Sequence, residues 1–189
     1  MLVLASASPR RQELLRNAGI AFVAQAAEID ETPLAGEAPS TCAERLAQEK
    51  TRAVARRRPN DFVLGADTIV VVDGQILGKP RDRQDAERML RMLSGRTHEV
   101  ITGVCLVGPS SDGQAFEETG SELTRVTMSA LSDDGIGSYA ATGEPMDKAG
   151  AYAIQGMASR WISRIEGDYF NVVGLPVVRV YRMLRGRAI

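Results

Sequence analysis

The apolar positions fall into short blocks whose period changes along the chain. Leu2 to Ala5 is a continuous apolar run of strand length. Ser8-Pro9 then offers an N-cap and a first helical residue, Leu14, Leu15 and Ala18 an apolar stripe, and Gly19 a stop. Ile20 to Ala24 reads as a second strand. Thr41-x-x-Glu44 is a capping box, which predicts a helix to about Arg57 with Leu46, Ala47 and Val54 along one side. Next, the apolar runs Phe62 to Leu64 and Ile69 to Val72 flank a single acid, Asp67, as in a strand buried on both faces. Asp73-Gly74 is a tight-turn pair and Ile76-Leu77 begins a returning strand, so this stretch predicts a hairpin. Asp82 caps a helix bearing Ala86, Met89, Leu90 and Leu93, and Gly95 ends it. Glu99 to Val107 is a strand, Pro109 to Gly113 a turn-rich tip, and Phe116 to Leu131 the return, where Thr124, Val126 and Met128 alternate with Arg125 and Thr127. That long hairpin is a candidate lobe wall or dimer surface. Ser132 caps a helix to about Ala141, Trp161 to Ile165 is a strand, Gly167 to Phe170 a turn, and Leu175-Pro176 opens the last helix. No repeat, linker or low-complexity segment appears, so residues 1–189 read as one domain.

Length and charge narrow the classes. A chain of 189 residues buries a substantial core, as one domain or as two small lobes sharing a cleft. With 23 basic and 24 acidic residues, an extended nucleic-acid surface is not expected. No apolar run approaches the roughly 20 residues that span a bilayer. Met1 to Ala5 has no basic region before it and Arg10-Arg11 follows at once, so no signal peptide is read and a cytoplasmic protein is expected. Cys42 and Cys105 lack partners at ligand spacing and read as small buried hydrophobes. A single histidine, His98, argues against a His/Cys zinc site.

Polar residues at special places supply the candidate chemistry. Ser6, Ser8, Arg10 and Arg11 stand where a strand runs into a helix N-terminus, whose free N–H groups and dipole favour an anion. The alternative is an ordinary capped helix with solvated arginines. Nothing matches a P-loop, and Gly135-x-Gly137-x-x-Ala140 follows a helix cap instead of a buried strand, so it is no dinucleotide fingerprint. Glu28, Asp30 and Glu31 sit in a loop, where acids are usually solvated; after a strand, one of them can serve a metal. Lys50 reads locally as mid-helix surface charge, and Arg56-Arg57-Arg58 as a solvated helix end. Asp67 in a buried strand is costly unless paired or metal-bound, and Lys79 follows the hairpin. Gly143 to Gly156 is irregular and glycine-rich, and its Gln155 has both a donor and an acceptor for a base or ribose edge. The alternative there is a structural loop with Asp147-Lys148 paired locally. Arg forks, Lys point charges and one or two carboxylates suit a nucleoside triphosphate with a divalent cation. Local patterns alone do not gather these residues into one pocket.

A resemblance does. Leu-Ala-Ser-Ala-Ser-Pro-Arg-Arg-Gln-Glu-Leu-Leu (4–15), Gly-Ala-Asp-Thr (65–68), Gly-Lys-Pro (78–80) and Leu-Ser-Gly-Arg-Thr-His-Glu-Val (93–100) resemble the signatures of the Maf family of nucleotide pyrophosphatases. So do Met-Asp-Lys-Ala-Gly-Ala-Tyr-Ala-Ile-Gln-Gly (146–156) and Gly-Asp-Tyr-Phe-Asn-Val-Val-Gly-Leu-Pro (167–176), in order along nearly the whole chain. The resemblance implies a Maf/ITPase-like α/β fold, an elongated mixed sheet flanked by helices, with two lobes around a central cleft. It implies hydrolysis of a nucleoside triphosphate to the monophosphate and pyrophosphate with Mg²⁺ or Mn²⁺, and allows a homodimer. Asp67 matches the family's catalytic carboxylate; Lys50 and Lys79 join it as catalytic cations. Ser8, Arg10, Arg11, Thr68 and Gln155 match substrate-binding positions, and Asp67 with Glu31 the metal ligands, Asp30 being the alternative to Glu31. Arg10, Thr68 and Gln155 resemble the branch acting on dTTP and UTP; Ala153, where Gly is expected, departs from it. Two further readings are a nucleotide-binding regulator of cell division with little turnover and a house-cleaning enzyme for modified pyrimidine nucleotides.

Overall fold

In the computed structural model, which describes residues 1–109 and 115–187, the two apolar runs around Asp67 form a single long strand. This strand, β3 (Phe62–Val72), belongs to a mixed sheet of seven strands with β1 (Leu2–Leu4), β2 (Val23–Ala24), β4 (Gln75–Leu77), β5 (Thr97–Pro109), β6 (Ala115–Met128) and β7 (Ile162–Glu166). The order is β2-β1-β3-β5-β6-β7, with β4 pairing β3. The chain divides into two compact units. The first comprises Met1–Asp67, Thr102–Glu122 and Gly174–Ile189, the second Thr68–Ile101 and Leu123–Val173, so β3, β5 and β6 contribute residues to both.

In the first unit, β1 pairs in parallel with β2 and with the start of β3, Leu2 opposite Phe62 and Leu4 opposite Leu64. Parallel strands need crossovers, and two helices provide them. Helix α1 (Pro9–Asn17) is capped by Ser8, has Pro9 in its first turn and buries Leu14 and Leu15. Helix α2 (Pro39–Ala55) buries Cys42, Ala43, Leu46, Ala47, Lys50, Thr51 and Val54. Val3, Ala5, Val54 and Val63 form a core of small apolar side chains. Helix α6 (Val177–Leu184) completes this unit.

The second unit holds the hairpin. Val70 pairs with Leu77 and Val72 with Gln75, and the turn residues Asp73 and Gly74 both have positive φ, 50° and 73°. That is the tight-turn conformation expected of Asp-Gly. Helix α3 (Arg83–Leu93) is capped by Asp82 and buries Ala86, Met89, Leu90 and Leu93; it packs against α4 (Asp133–Ala141), capped by Ser132. Strand β7 pairs antiparallel with β6, Arg125 opposite Glu166.

Several local expectations are corrected. Strand β2 is only Val23–Ala24, shorter than the run from Ile20. Helix α2 starts at Pro39, and Ala38 occupies the N-cap without a side-chain bond, so Thr41-x-x-Glu44 is not a capping box. Proline at the first helical position is pre-set for a helix and sacrifices no intrahelical bond, which moves the start upstream. The Glu44 carboxylate instead accepts from the Ser121 hydroxyl at 2.6 Å. Trp161 ends a 3-10 turn and precedes β7. Tyr169 and Phe170 begin a short helix, α5 (Tyr169–Val173), where a turn was expected. The expected hairpin tip at Ser110 to Gly113 lies outside the described residues. Cys42 and Cys105 are buried free thiols, as expected. Among the described residues no helix is long and apolar enough to cross a membrane.

Candidate active site

The first unit gathers charge around one ammonium. Lys50 Nζ donates to Asp67 Oδ1 at 2.5 Å and lies 2.6 Å from Glu31 Oε1. Lys50 and Asp67 are each only 7% exposed, so the mid-helix surface charge expected from local pattern is corrected to a buried ion pair. The geometry follows from α2 and β3. Every third or fourth residue of α2 faces the sheet, so Ala43, Leu46, Ala47, Lys50 and Val54 are buried together. Thr51 beside Lys50 donates to the Ala47 carbonyl at 2.7 Å and the Cys105 carbonyl at 3.2 Å. Asp67 lies in mid-strand, and the ammonium supplies the partner that a buried carboxylate needs.

Of the two adjacent acids in the 28–33 loop, Glu31 bonds Lys50, whereas Asp30 accepts from the Thr32 amide at 2.9 Å and hydroxyl at 2.6 Å. The hydroxyl and amide of Thr32 hold Asp30 below the usual carboxylate range.

Arginine stands beside the acids. Arg11 Nε donates to the Gly174 carbonyl at 2.8 Å and Nη1 to the Ser6 hydroxyl at 3.3 Å, and Ser6 Oγ also accepts from the Ser8 amide at 3.2 Å. The Ser8 hydroxyl caps α1 through a long 3.5 Å bond from the Arg11 amide. Burial pulls the Arg11 guanidinium below its ordinary value; Asp67 and Glu31 push the other way, and Arg10 adds a further downward push. Arg10, Arg11, Glu31, Lys50 and Asp67 thus belong to one electrostatic neighbourhood, and Ser8 adjoins it through the cap on Arg11. The Gly174 carbonyl that holds Arg11 had no sequence signal, being a backbone group far along the chain.

The other candidates lie in the second unit. Thr68 follows Asp67 in β3 and is half-buried, while Lys79 is exposed in the segment after β4. Gln155 is exposed, between two 3-10 turns, Ala149–Ala151 and Met157–Trp161. The loop bearing it is tied to the segment bearing Lys79, because the Gly150 amide donates to the Gly78 carbonyl at 3.1 Å. Gly150 has φ 68°, and a Cβ there would stand 2.9 Å from Val70, so only glycine fits. Asp147 and Lys148 pair locally, and Lys148 Nζ also donates to the Glu144 carbonyl at 3.2 Å.

Asp67 and Glu31 offer two hard oxygen donors. Among the described residues no group of three or more His, Cys, Asp or Glu converges. A two-carboxylate set fits Mg²⁺ or a similar hard cation, which takes its remaining ligands from water and phosphate.

Comparison with known proteins assigns the chain. Residues 1–187 match the family described as Maf-like protein. The chain belongs to the Maf family. This Maf chain is 61% identical over 184 residues to the dTTP/UTP pyrophosphatase of Koribacter versatilis (strain Ellin345), covering 97% of this chain and 93% of that protein. It is 56% identical over 183 residues to the dTTP/UTP pyrophosphatase of Symbiobacterium thermophilum (strain DSM 24528 / JCM 14929 / IAM 14863 / T), covering 97% and 92%. Among solved structures, the Maf chain is similar to the Ham1 protein of Staphylococcus aureus, with TM-score 0.50, 15% identity and 98% of both chains covered. That likeness concerns the fold: in both, a mixed α/β architecture of the Ham1 type.

Proposed function

We propose that this chain is a nucleoside triphosphate pyrophosphatase that hydrolyses dTTP and UTP to the monophosphate and pyrophosphate. The observation that carries the reading is the ammonium of Lys50 lodged between the carboxylates of Asp67 and Glu31, with Arg11 beside them. Relatives that bear the name dTTP/UTP pyrophosphatase supply the substrate class.

The reaction joins a water oxygen to the α-phosphorus and breaks the bond to the bridging oxygen, so that pyrophosphate leaves with the electron pair. Asp67 orients the water and accepts its proton. Lys50 offsets the charge of the two acids and, with Arg10, Arg11 and Lys79, offers positive charge to the phosphates and to the departing pyrophosphate. Ser6 and Gly174 hold the Arg11 guanidinium, so its donors are ordered before substrate arrives. Ser8 adds a hydroxyl at the N-terminus of α1, where an anion is favoured. Thr68 and Gln155 read the pyrimidine or its sugar. A divalent cation, Mg²⁺ or Mn²⁺, held by Asp67 and Glu31, would neutralise phosphate charge and polarise the phosphorus.

Pyrophosphate release across a panel of triphosphates, with Mg²⁺ and with Mn²⁺, tests this reading. Turnover is expected to be greatest with dTTP and UTP. Tight binding without turnover would favour a nucleotide-binding regulator of cell division instead, and preference for 5-methyl-UTP, pseudo-UTP or 5-methyl-CTP a house-cleaning role.

A further inference from the structure

Gln155 stands on irregular backbone, yet the backbone amides two residues to either side of it are held by one pair of side chains. The Ala153 amide donates to the Tyr139 hydroxyl at 3.3 Å, and that hydroxyl donates to Glu144 Oε1 at 2.8 Å. The same carboxylate accepts the Met157 amide at 3.1 Å through Oε1 and 3.3 Å through Oε2. Between these ties, Gly156 lies so close to Glu144 that a Cβ would collide with its carboxylate. The pair is itself anchored. Tyr139 is fully buried in α4, its ring edge-on to Trp161 with centroids 5.4 Å apart. The Glu144 amide donates to the Thr142 hydroxyl at 3.1 Å, just past the helix end. Helix α4 in turn is fastened to α3 by Arg91–Asp133 at 3.0 Å and by Arg83 to the Gly137 carbonyl at 3.2 Å.

We infer that Tyr139 and Glu144 are positioning residues that fix the loop bearing Gln155 and thereby set which base is accepted. The inference rests on the reading of Gln155 as a base or sugar contact. Neither residue needs to touch the nucleotide. A carboxamide discriminates bases only if its donor and acceptor are aimed, because hydrogen bonds weaken steeply with angle and distance. An exposed glutamine on an untethered loop has no such aim. The Tyr152 hydroxyl, 2.8 Å from His98 Nε2, adds a separate tie just before this segment.

The test uses the full chain and four variants: Glu144→Ala, Tyr139→Phe, Gln155→Ala, and Tyr139→Phe combined with Gln155→Ala. Tyr139→Phe keeps the buried ring, so it preserves the test if Glu144→Ala fails to fold. Two quantities are read: amide hydrogen exchange at Ala153 and Met157, and the ratio of kcat/KM for dTTP to that for dCTP, which differ in donor and acceptor on the ring. Expected are faster exchange in both clamp variants and a dTTP/dCTP ratio reduced ~10-fold, with no further loss in the combined variant. Faster exchange with an unchanged ratio in the clamp variants, while Gln155→Ala alone lowers it, overturns the inference and leaves the reading of Gln155 standing. A ratio unchanged by Gln155→Ala overturns that reading, and the inference with it.

Discussion

Gly65 of β3 lies against Thr51 of α2 with no space for a side chain between them. A Cβ at Gly65 would overlap the Thr51 hydroxyl and stand 2.7 Å from the Ala47 carbonyl and 3.0 Å from the Thr51 amide nitrogen. These are backbone atoms of α2, which cannot turn aside as a flexible side chain does. The missing Cβ therefore lets α2 approach β3 closely, and the adjoining residues, Lys50 on the helix and Asp67 on the strand, meet as a buried pair.

Gly65→Ala is expected to push α2 off the sheet. Overpacking of this kind costs about 1–3 kcal/mol, so the urea midpoint should fall with the slope unchanged. Turnover should fall further than stability predicts, because Lys50 moves away from Asp67. An unchanged midpoint would mean that the helix yields easily and does not depend on this glycine.

Lys50→Met removes the ammonium that bonds both Asp67 and Glu31 while keeping a long side chain. Leaving a buried carboxylate without its partner costs about 3 kcal/mol. The combination Lys50→Met with Asp67→Asn should recover much of that loss, since the buried charge of Asp67 goes as well, while Glu31, with its side chain 42% exposed, keeps its hydration. Chemical denaturation of the wild type, the two single variants and the double variant gives the coupling; additive losses would contradict a direct interaction.

His98 provides a pH signature of the second unit. Its ring is buried, with Nε2 on the Tyr152 hydroxyl and no partner for Nδ1 among the described residues. Burial pushes it down from 6.5 to about 4. Between those values the unfolded chain binds a proton that the folded chain excludes. The stabilising difference is therefore complete above about pH 6.5 and is lost as pH falls toward 4, at up to about 1.4 kcal/mol per pH unit. Denaturation at a series of pH values should show this slope in the wild type and a reduced one in His98→Gln. The same slope in both would place the titrating group elsewhere.

The elements with strong local signals were legible from sequence. Ser8-Pro9 and Gly19 bound α1, Asp82 opens α3, and Asp73-Gly74 turns β3 into β4, because capping and positive-φ turns are decided within a few residues. At the start of α2 two signals compete, and Pro39 overrides Thr41-x-x-Glu44 because a proline fixes its own φ whereas a capping box needs a side chain free to reach back. Lys50 was illegible as a buried residue by local pattern, since a helix position says nothing about which strand it will face. The family resemblance placed it beside Asp67, and the ion pair is there. Nothing in the sequence marked Tyr139 and Glu144, whose bonds run between a helix and an irregular segment whose path depends on glycines at 143, 150 and 156.

The most direct measurement is pyrophosphate release from dTTP and UTP by Asp67→Asn beside the wild type, with far-UV circular dichroism and melting temperature recorded for both. Asparagine keeps the size of the side chain but loses the charge that pairs with Lys50 and cannot accept the water's proton. The account predicts a loss of ~10²–10⁴ in kcat with the folded signal retained. Near-normal turnover in Asp67→Asn would remove this carboxylate from the chemistry and contradict the account.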